Sequence, residues 1–267
     1  MLVLASWRRA PGALLANLVS IKALFAAVAL VLALAYSLVG SYGAGIFVVG
    51  AAVTLLTSPF AARAWRAQVA RVRLEPELAA IRRRHSHDPQ QAAAASLALL
   101  RDHGASPTAG CLALLLPAPL YLGLYQVLRG LTRRRPGSRL FQPLYLPHST
   151  ALFHALASST TMGFWGVDLA STGTAALQAS ALSGALFVAL LAITAAGGVL
   201  QQVLVRRALP RPSDQRAAGV QRVASLTPAI FALTGLGLPL AVTLYYAAVS
   251  LTRLAQQLML IRLHPVS

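Results

Sequence analysis

Charged side chains, and acidic ones above all, are scarce in this sequence. Only 11% of the 267 residues are charged, six residues are acidic, and lysine occurs once, at Lys22. Soluble globular domains carry about 25% charged residues, so this composition excludes an ordinary soluble domain. Because 57% of the residues are hydrophobic, we predict an integral membrane protein.

Cysteine is almost absent too, and the motifs of common catalytic sites are missing. Cys111 is the single cysteine, which excludes an intrachain disulfide and a cysteine-based metal cluster. His85 and His87 resemble half of a metal site, but no third ligand type lies near them in the sequence, so a solvated turn is favoured. Ser183 has no histidine partner within the same crossing. We therefore predict no enzyme, no metal and no cofactor.

Four stretches without any charged residue divide the chain: residues 23–62, 103–128, 169–205 and 223–252. A spanning helix needs about 20 apolar residues, so the first and last stretches can each hold more than one segment. We predict an all-α integral membrane protein with a five-helix core, the crossings being residues 44–62, 108–128, 178–205, 223–238 and 240–261. A helix at 23–39 either spans the membrane or lies at its interface, and residues 140–165 form a partly buried external segment.

Arginine supplies almost all of the basic charge and predicts the orientation. The net charge is +17, and the arginines lie in short segments beside the apolar runs. This placement fits anionic lipid headgroups better than sequence recognition of nucleic acid. Although several arginines fall in the predicted external loop 129–168, more of them flank the other ends of the crossings. The arginine bias therefore predicts a multi-pass protein with a cytoplasmic C-terminus.

The one long polar insertion, residues 63–106, is predicted to be a cytoplasmic helical hairpin. Asp88 can cap its second helix, with Pro89 at the first helical position and Gln91 three residues after the cap. Gly104 is predicted to end that helix. The basic residues of the hairpin include Arg71, Arg73, Arg82, Arg83 and Arg84.

Polar residues on otherwise apolar helices often mark a cavity, because an unpaired polar group is costly in hydrocarbon. The residues concerned are Thr54, Thr57, Ser58, Gln126, Gln201, Gln202, Ser250, Arg253, Gln256 and Gln257. A lone threonine or serine is weak evidence, since its hydroxyl can bond to its own helix. Arg253 is stronger, although snorkelling to the headgroups would also account for it.

Several sequence blocks, in order, resemble the YidC family of membrane protein insertases across about residues 40–263. The blocks are Gly104-Ala105-Ser106-Pro107-Thr108-Ala109-Gly110-Cys111, Pro119 with Leu124-Tyr125, Leu74-Glu75-Pro76, Leu200-Gln201-Gln202, and Pro228, Pro239, Tyr245-Tyr246 and Gln256-Gln257. The resemblance implies a bacterial cytoplasmic membrane protein with an N-terminal segment, 1–43, and an insertase core, 44–262.

The resemblance also implies a function. A hydrophilic groove, open to cytoplasm and lipid, receives the polar part of a nascent membrane protein and releases its apolar helix into lipid, without a nucleotide. Groove residues would be Thr54, Thr57, Gln201, Ser250 and Arg253, and the arginines of the hairpin would capture clients. Implied partners are nascent membrane proteins and anionic lipids, with the ribosome and the Sec translocon as further candidates.

The chain departs from the family pattern where the groove arginine is expected, because Thr54 occupies that place. Our hypothesis is that Thr54 keeps the groove wet while Arg253 supplies positive charge. A divergent paralogue that acts as an assembly or scaffold subunit stays open as an alternative. A small transporter is a third possibility, although no inverted repeat is visible in the sequence.

Overall fold

The computed structural model describes residues 10–103, 118–209 and 234–263, and these are almost entirely helical. The ten helices described are α1 (Ala10–Val39), α2 (Tyr42–Leu56), α3 (Ser58–Arg73), α4 (Glu75–Arg84), α5 (Pro89–Asp102), α6 (Ala118–Leu131), α7 (Ala151–Ala157), α8 (Gly173–Ala179), α9 (Ala181–Ala208) and α10 (Leu240–Leu263). Two short antiparallel strands, β1 (Gly163–Phe164) and β2 (Val167–Asp168), form a hairpin between α7 and α8. The prediction of a helical protein is confirmed, with this small hairpin as the exception.

Two of the described helices are long and apolar enough to cross a membrane. They are the segment Lys22–Val39 of α1 and the whole of α9, and the bent pair α2 and α3 makes a third if it is one span. The length of α1 favours the spanning alternative for residues 23–39. The first half of the predicted crossing 108–128 and most of the predicted crossing 223–238 fall outside the described ranges, whereas residues 118–128 belong to α6.

The crossing predicted at 44–62 is not one straight helix. It breaks at Thr57, where α2 ends and α3 begins, and the two axes meet at 47°. Pro59 lies in the first turn of α3 and has no amide hydrogen to continue the ladder. The hydroxyl of Thr57 donates to the carbonyl of Thr54 at 2.9 Å, and such back-bonding bends helices. The sequence contains the cause of the bend, but our prediction missed it.

Within the polar insertion 63–106, α4 and α5 pack against each other, and most of α3 precedes them in the same insertion. The carboxylate of Asp88 accepts hydrogen bonds from the backbone amides of Gln90 and Gln91 at 2.9 and 3.0 Å, as its capping position predicts. Leu74, Leu78 and Leu100 are buried together and join the two helices. Gly104, predicted to end the second helix, lies outside the described residues.

The segment before α9 is partly buried, as predicted, but it has more structure than expected. It contains α7, the β-hairpin and α8. The carboxylate of Asp168 accepts from the backbone amides of Met162 and Ala170 at 2.7 and 3.0 Å, which fixes the start of the hairpin to its end. The next crossing begins at Ala181 instead of residue 178, because Ser180 adopts an extended conformation and ends α8.

The described residues belong to two compact units. One comprises those of Met1–Val49, Pro119–Phe187 and Gly237–Tyr245, and the other those of Gly50–Ala118, Val188–Leu236 and Tyr246–Ser267. In the first unit α1 packs against α7, and the rings of Phe25 and Tyr145 meet edge to face at 5.3 Å. The second unit contains the polar hairpin and all five residues predicted to line a groove.

Candidate functional site

Thr54 and Thr57 lie at the end of α2, and both are buried. Thr54 is 1% exposed and Thr57 is 8% exposed. The hydroxyl of Thr54 donates to the carbonyl of Gly50 at 2.9 Å, and that of Thr57 donates to the carbonyls of Val53 and Thr54. These bonds give both hydroxyls a backbone acceptor in α2.

Ser250 and Gln201 belong to two helices, α10 and α9, that approach each other closely. The hydroxyl of Ser250 donates to the backbone carbonyl of Thr194 at 3.3 Å. The same hydroxyl lies where a Cβ on Gly197 would have to be. A larger residue at position 197 would displace the hydroxyl of Ser250, and small residues here allow the two helix backbones to approach. Gln201 follows one turn later on α9 and is half-buried.

The same two helices run parallel and stay in contact toward their C-terminal ends. Gly197 lies opposite Ser250, and Val205 packs near Leu260, so residue numbers increase together along the contact. Trp65 and Val69 of α3 complete this cluster and are 4% and 6% exposed. Sequence reasoning missed Thr194, Gly197 and Trp65. A glycine pair at 197–198 within a spanning helix was the one available signal.

Arg253 and two glutamines continue the polar face of α10 beyond Ser250. The side chain of Arg253 is exposed, whereas Gln256 and Gln257 are half-buried. Among the described residues, the side-chain nitrogens of Gln256 and Gln257 are buried and have no hydrogen-bond partner. Because an unsatisfied buried donor costs about 1–3 kcal/mol, these two amides favour an acceptor supplied from outside the described chain, such as water.

The five arginines predicted to capture clients all lie on the ends of short helices. Arg71 and Arg73 occupy the last turn of α3, and Arg82, Arg83 and Arg84 the last turn of α4. All five are exposed. Among them, the guanidinium of Arg82 bonds to the carboxylate of Glu75 at 2.9 Å. The hairpin therefore presents a basic surface.

Metal ligands do not gather anywhere in the described part of the chain. No group of three or more histidine, cysteine, aspartate or glutamate side chains is close enough there to hold a metal ion. His85 lies at the end of α4, and His87 lies in the turn before α5, as a solvated turn predicts. The arrangement offers hydrogen-bonding and charged groups on helices.

Comparisons with known proteins give a consistent match. The model of the 60Kd inner membrane protein family matches residues 34–266. The chain is 29% identical over 117 residues to the membrane protein insertase YidC of Clostridium perfringens, covering 43% of this chain and 49% of that protein. It is 34% identical over 93 residues to the YidC of Methylobacterium radiotolerans, covering 35% and 15%.

A longer alignment extends over most of the chain. The YidC of Oleidesulfovibrio alaskensis is 24% identical over 227 residues, which is 85% of this chain and 36% of that protein. The chain thus spans less than half the length of these relatives. Because the family model covers far more than half of the sequence, the chain belongs to the 60Kd inner membrane protein family.

Proposed function

We propose that this protein is a membrane protein insertase, which helps nascent membrane proteins enter the lipid bilayer and fold there. The observation that carries the proposal is the family match over residues 34–266, together with relatives that are named membrane protein insertases. The structure supports it in two places: polar groups on apolar helices, and a basic hairpin built into the same unit.

In this proposal, α2, α9 and α10 line a hydrophilic groove within a five-helix core. Gln201, Ser250 and Arg253 supply its polar surface, and Gln256 and Gln257 supply two amide donors without partners among the described residues. A client's charged residue at the bilayer centre costs about 3 kcal/mol or more. Polar groups and water in the groove would lower that cost while the apolar part of the client moves sideways into lipid.

Thr54 and Thr57 take a different part in the groove from the one the sequence suggested. Since both hydroxyls bond within α2, we propose that they set the bend at Pro59 and so shape the groove wall. Wetting of the groove then depends mainly on α9 and α10. Positive charge, absent at Thr54, would come from Arg253.

The hairpin would act on the cytoplasmic side, with the C-terminus on the same side of a bacterial cytoplasmic membrane. Arg71, Arg73, Arg82, Arg83 and Arg84 present cationic groups to acidic clients and to anionic lipid headgroups, each worth about 1 kcal/mol near such a surface. The ribosome and the Sec translocon remain candidate partners of this surface.

Growth of a bacterium depleted of its own insertase tests the proposal. We expect the chain to restore growth and the insertion of small membrane proteins with acidic tails. Arg253→Ala should reduce insertion of those clients, whereas Arg262→Ala, an exposed arginine at the end of the same helix, should not. Equal insertion by both variants would remove Arg253 from the mechanism, and failure to restore growth would remove the insertase function.

A scaffold subunit is the second candidate, and the burial of Thr54 favours it. At the place of the family's groove arginine the chain has a hydroxyl that bonds within its own helix. Such a protein would copurify with a membrane complex. Its deletion would reduce the assembly of that complex without affecting the insertion of unrelated membrane proteins.

A further inference from the structure

An exposed indole stands at the tip of the β-hairpin. Trp165 is 77% exposed, although tryptophan is usually well buried in proteins. It forms the two-residue turn between β1 and β2 together with Gly166, and its φ is 50° where that of Gly166 is 79°. Left-handed backbone is uncommon for a large residue such as tryptophan. The turn therefore accepts a conformational cost and leaves the indole outside the protein core.

Hydrogen bonds and ring contacts hold the β-hairpin in place, so the position of the Trp165 indole is defined. The carboxylate of Asp168 accepts from the amide of Met162 at 2.7 Å, and the amide of Leu169 donates to the carbonyl of Met162 at 2.9 Å. The ring of Phe164 stacks on the indole at 4.6 Å and 18°. The other neighbour of Phe164 is Gly43, where a Cβ would collide with the ring. These contacts fasten Trp165 to the start of α2 through Phe164.

Two exposed leucines extend the apolar surface from the tip of the hairpin to the start of a membrane span. A Cβ on Gly166 would lie 3.8 Å from Leu182, which belongs to the first turn of α9 and is 58% exposed. Leu177 of α8 contacts Gly184 of α9 in the same way and is 48% exposed. Because α9 is a candidate span, its exposed apolar side chains face lipid. The indole lies beside the end of that lipid-facing surface.

The segment that follows the β-hairpin carries no charge, because residues 169–205 contain no acidic or basic side chain. Asp168, at the base of the β-hairpin, accepts from two backbone amides and lies 3.7 Å from the guanidinium of Arg134, so its charge is paired. Hydroxyl groups of Thr172, Ser180 and Ser183 lie at the same end of α9. An apolar ledge beside uncharged polar groups, at the end of a span, matches the boundary between acyl chains and headgroups.

We infer that Trp165, Leu177 and Leu182 form an interfacial ledge that enters the headgroup boundary of the bilayer and fixes the depth of α9. Tryptophan suits this boundary because its large ring is apolar while its N–H can bond to water or ester groups. The occupant is the lipid surface itself, since the ledge continues the surface of the span. This inference does not rest on the proposed insertase function, so a failure of either one would not contradict the other.

Fluorescence of the full chain in vesicles tests this inference. The chain has three tryptophans, Trp7, Trp65 and Trp165, so the double variant Trp7→Phe/Trp65→Phe reports on Trp165 alone. In vesicles containing brominated lipids, we expect bromines near the carbonyl end of the acyl chain to quench about twofold more than bromines near the methyl end, because aromatic belts lie at headgroup level. Aqueous iodide should quench little.

A variant that keeps only Trp65 is the matched control. Trp65 is 4% exposed and packs among Val69 and Leu260, so it should resist both bromines and iodide. If the double variant does not fold, the difference between the native chain and Trp165→Phe gives the same signal. Strong iodide quenching of Trp165 would overturn the inference. Strongest quenching by bromines near the methyl end of the acyl chain would also overturn it. A Trp165 shielded from iodide but not quenched by any bromine would overturn it as well, because another protein surface or a second copy would then cover the ledge.

Discussion

Two segments of the chain are rich in arginine, yet they use it differently. The hairpin segment contains Arg63, Arg66, Arg71, Arg73, Arg82, Arg83, Arg84 and Arg101, and the loop after α6 contains Arg133, Arg134, Arg135 and Arg139. In the hairpin the arginines are exposed on short helices, and three buried leucines hold the helices together. In the loop, one arginine is itself part of what holds the segment together.

Arg134 connects parts of the loop that are distant in sequence. Its guanidinium donates to the carbonyls of Arg139 and Thr160 at 2.9 and 3.3 Å, lies 3.7 Å from the carboxylate of Asp168, and stacks over the ring of Phe141 at 5.2 Å. A planar group with five donors can serve all of these partners at once. The number of arginines in a segment therefore gives its charge. The contacts of each arginine show whether that side chain stabilises the fold or is only part of a charged surface.

The largest effect is expected at Asp168, the acceptor at the centre of the loop network. Asp168→Ala removes two hydrogen bonds to backbone amides and the ion pair with Arg134. Hydrogen bonds to a charged group contribute about 1.5–3 kcal/mol each. Because the Asp168 side chain is 24% exposed, and solvent weakens these bonds, we expect a total loss of roughly 2–4 kcal/mol. Thermal unfolding in detergent, followed by tryptophan fluorescence, measures it.

Asp168→Asn separates the two contributions. The amide oxygen can still accept from a backbone amide, but the ion pair is lost, so the loss should be clearly smaller than for alanine. Equal losses for the two variants would mean that the ion pair, and not the backbone bonds, stabilises the loop.

The next effect concerns the hairpin and depends on leucine instead of arginine. Leu100→Ala empties part of the small cluster with Leu74 and Leu78, and such truncations cost about 2–3 kcal/mol. Since the cluster involves only α4, α5 and the residue before α4, we expect faster hydrogen exchange and proteolysis of these two helices. The melting temperature of the rest of the protein should change little.

Leu97→Ala is the matched control, because Leu97 lies on the same helix and is 36% exposed, whereas Leu100 is 6% exposed. It should leave hydrogen exchange nearly unchanged. If both variants loosen the hairpin equally, burial in the cluster is not what holds it.

A smaller effect is expected for Arg134→Ala, measured against Arg133→Ala by melting in detergent. Arg134→Ala removes two hydrogen bonds to carbonyls, the ion pair with Asp168 and a ring contact. Because the Arg134 side chain is 44% exposed, we expect a cost of about 1–2 kcal/mol. Arg133 is exposed, and its hydrogen bonds among the described residues are made by the backbone, so its removal should change little. Similar losses of stability for the two variants would show that the positive charge, and not the specific contacts of Arg134, stabilises the loop.

The sequence predicted the starts of α5 and α10 because their signals are local. Asp88 and Pro89 mark a helix start by spacing alone, and Pro239 marks the start of α10 in the same way. The bend at Thr57 was missed, although Pro59 was present, because a proline in the first turn of a new helix and one inside a kinked helix give the same local signal. The β-hairpin was missed because each of its strands has only two residues.

The candidate site was less predictable, because its geometry depends on contacts between distant segments. A hydroxyl on an apolar helix looks the same in the sequence when it bonds to its own helix, as that of Thr54 does at Gly50, and when it bonds to another helix, as that of Ser250 does at Thr194. The close approach of Gly197 to Ser250 joins residues more than 50 positions apart, and no spacing rule for a single helix could predict it.

The smallest effect is expected for the exposed ion pair of the hairpin. Arg82 and Glu75 are bonded at 2.9 Å, but their side chains are 40% and 34% exposed, and such surface pairs contribute about 0–1 kcal/mol. Glu75→Gln should therefore cost at most about 0.5 kcal/mol more stability than Glu77→Gln. Each variant removes one negative charge from the first turn of α4, so the difference between them isolates the ion pair. Hydrogen exchange of α4 in the full chain measures the difference. A clearly larger loss for Glu75 would mean that this arginine holds its segment together as Arg134 does, and the contrast between the two arginine-rich segments would disappear.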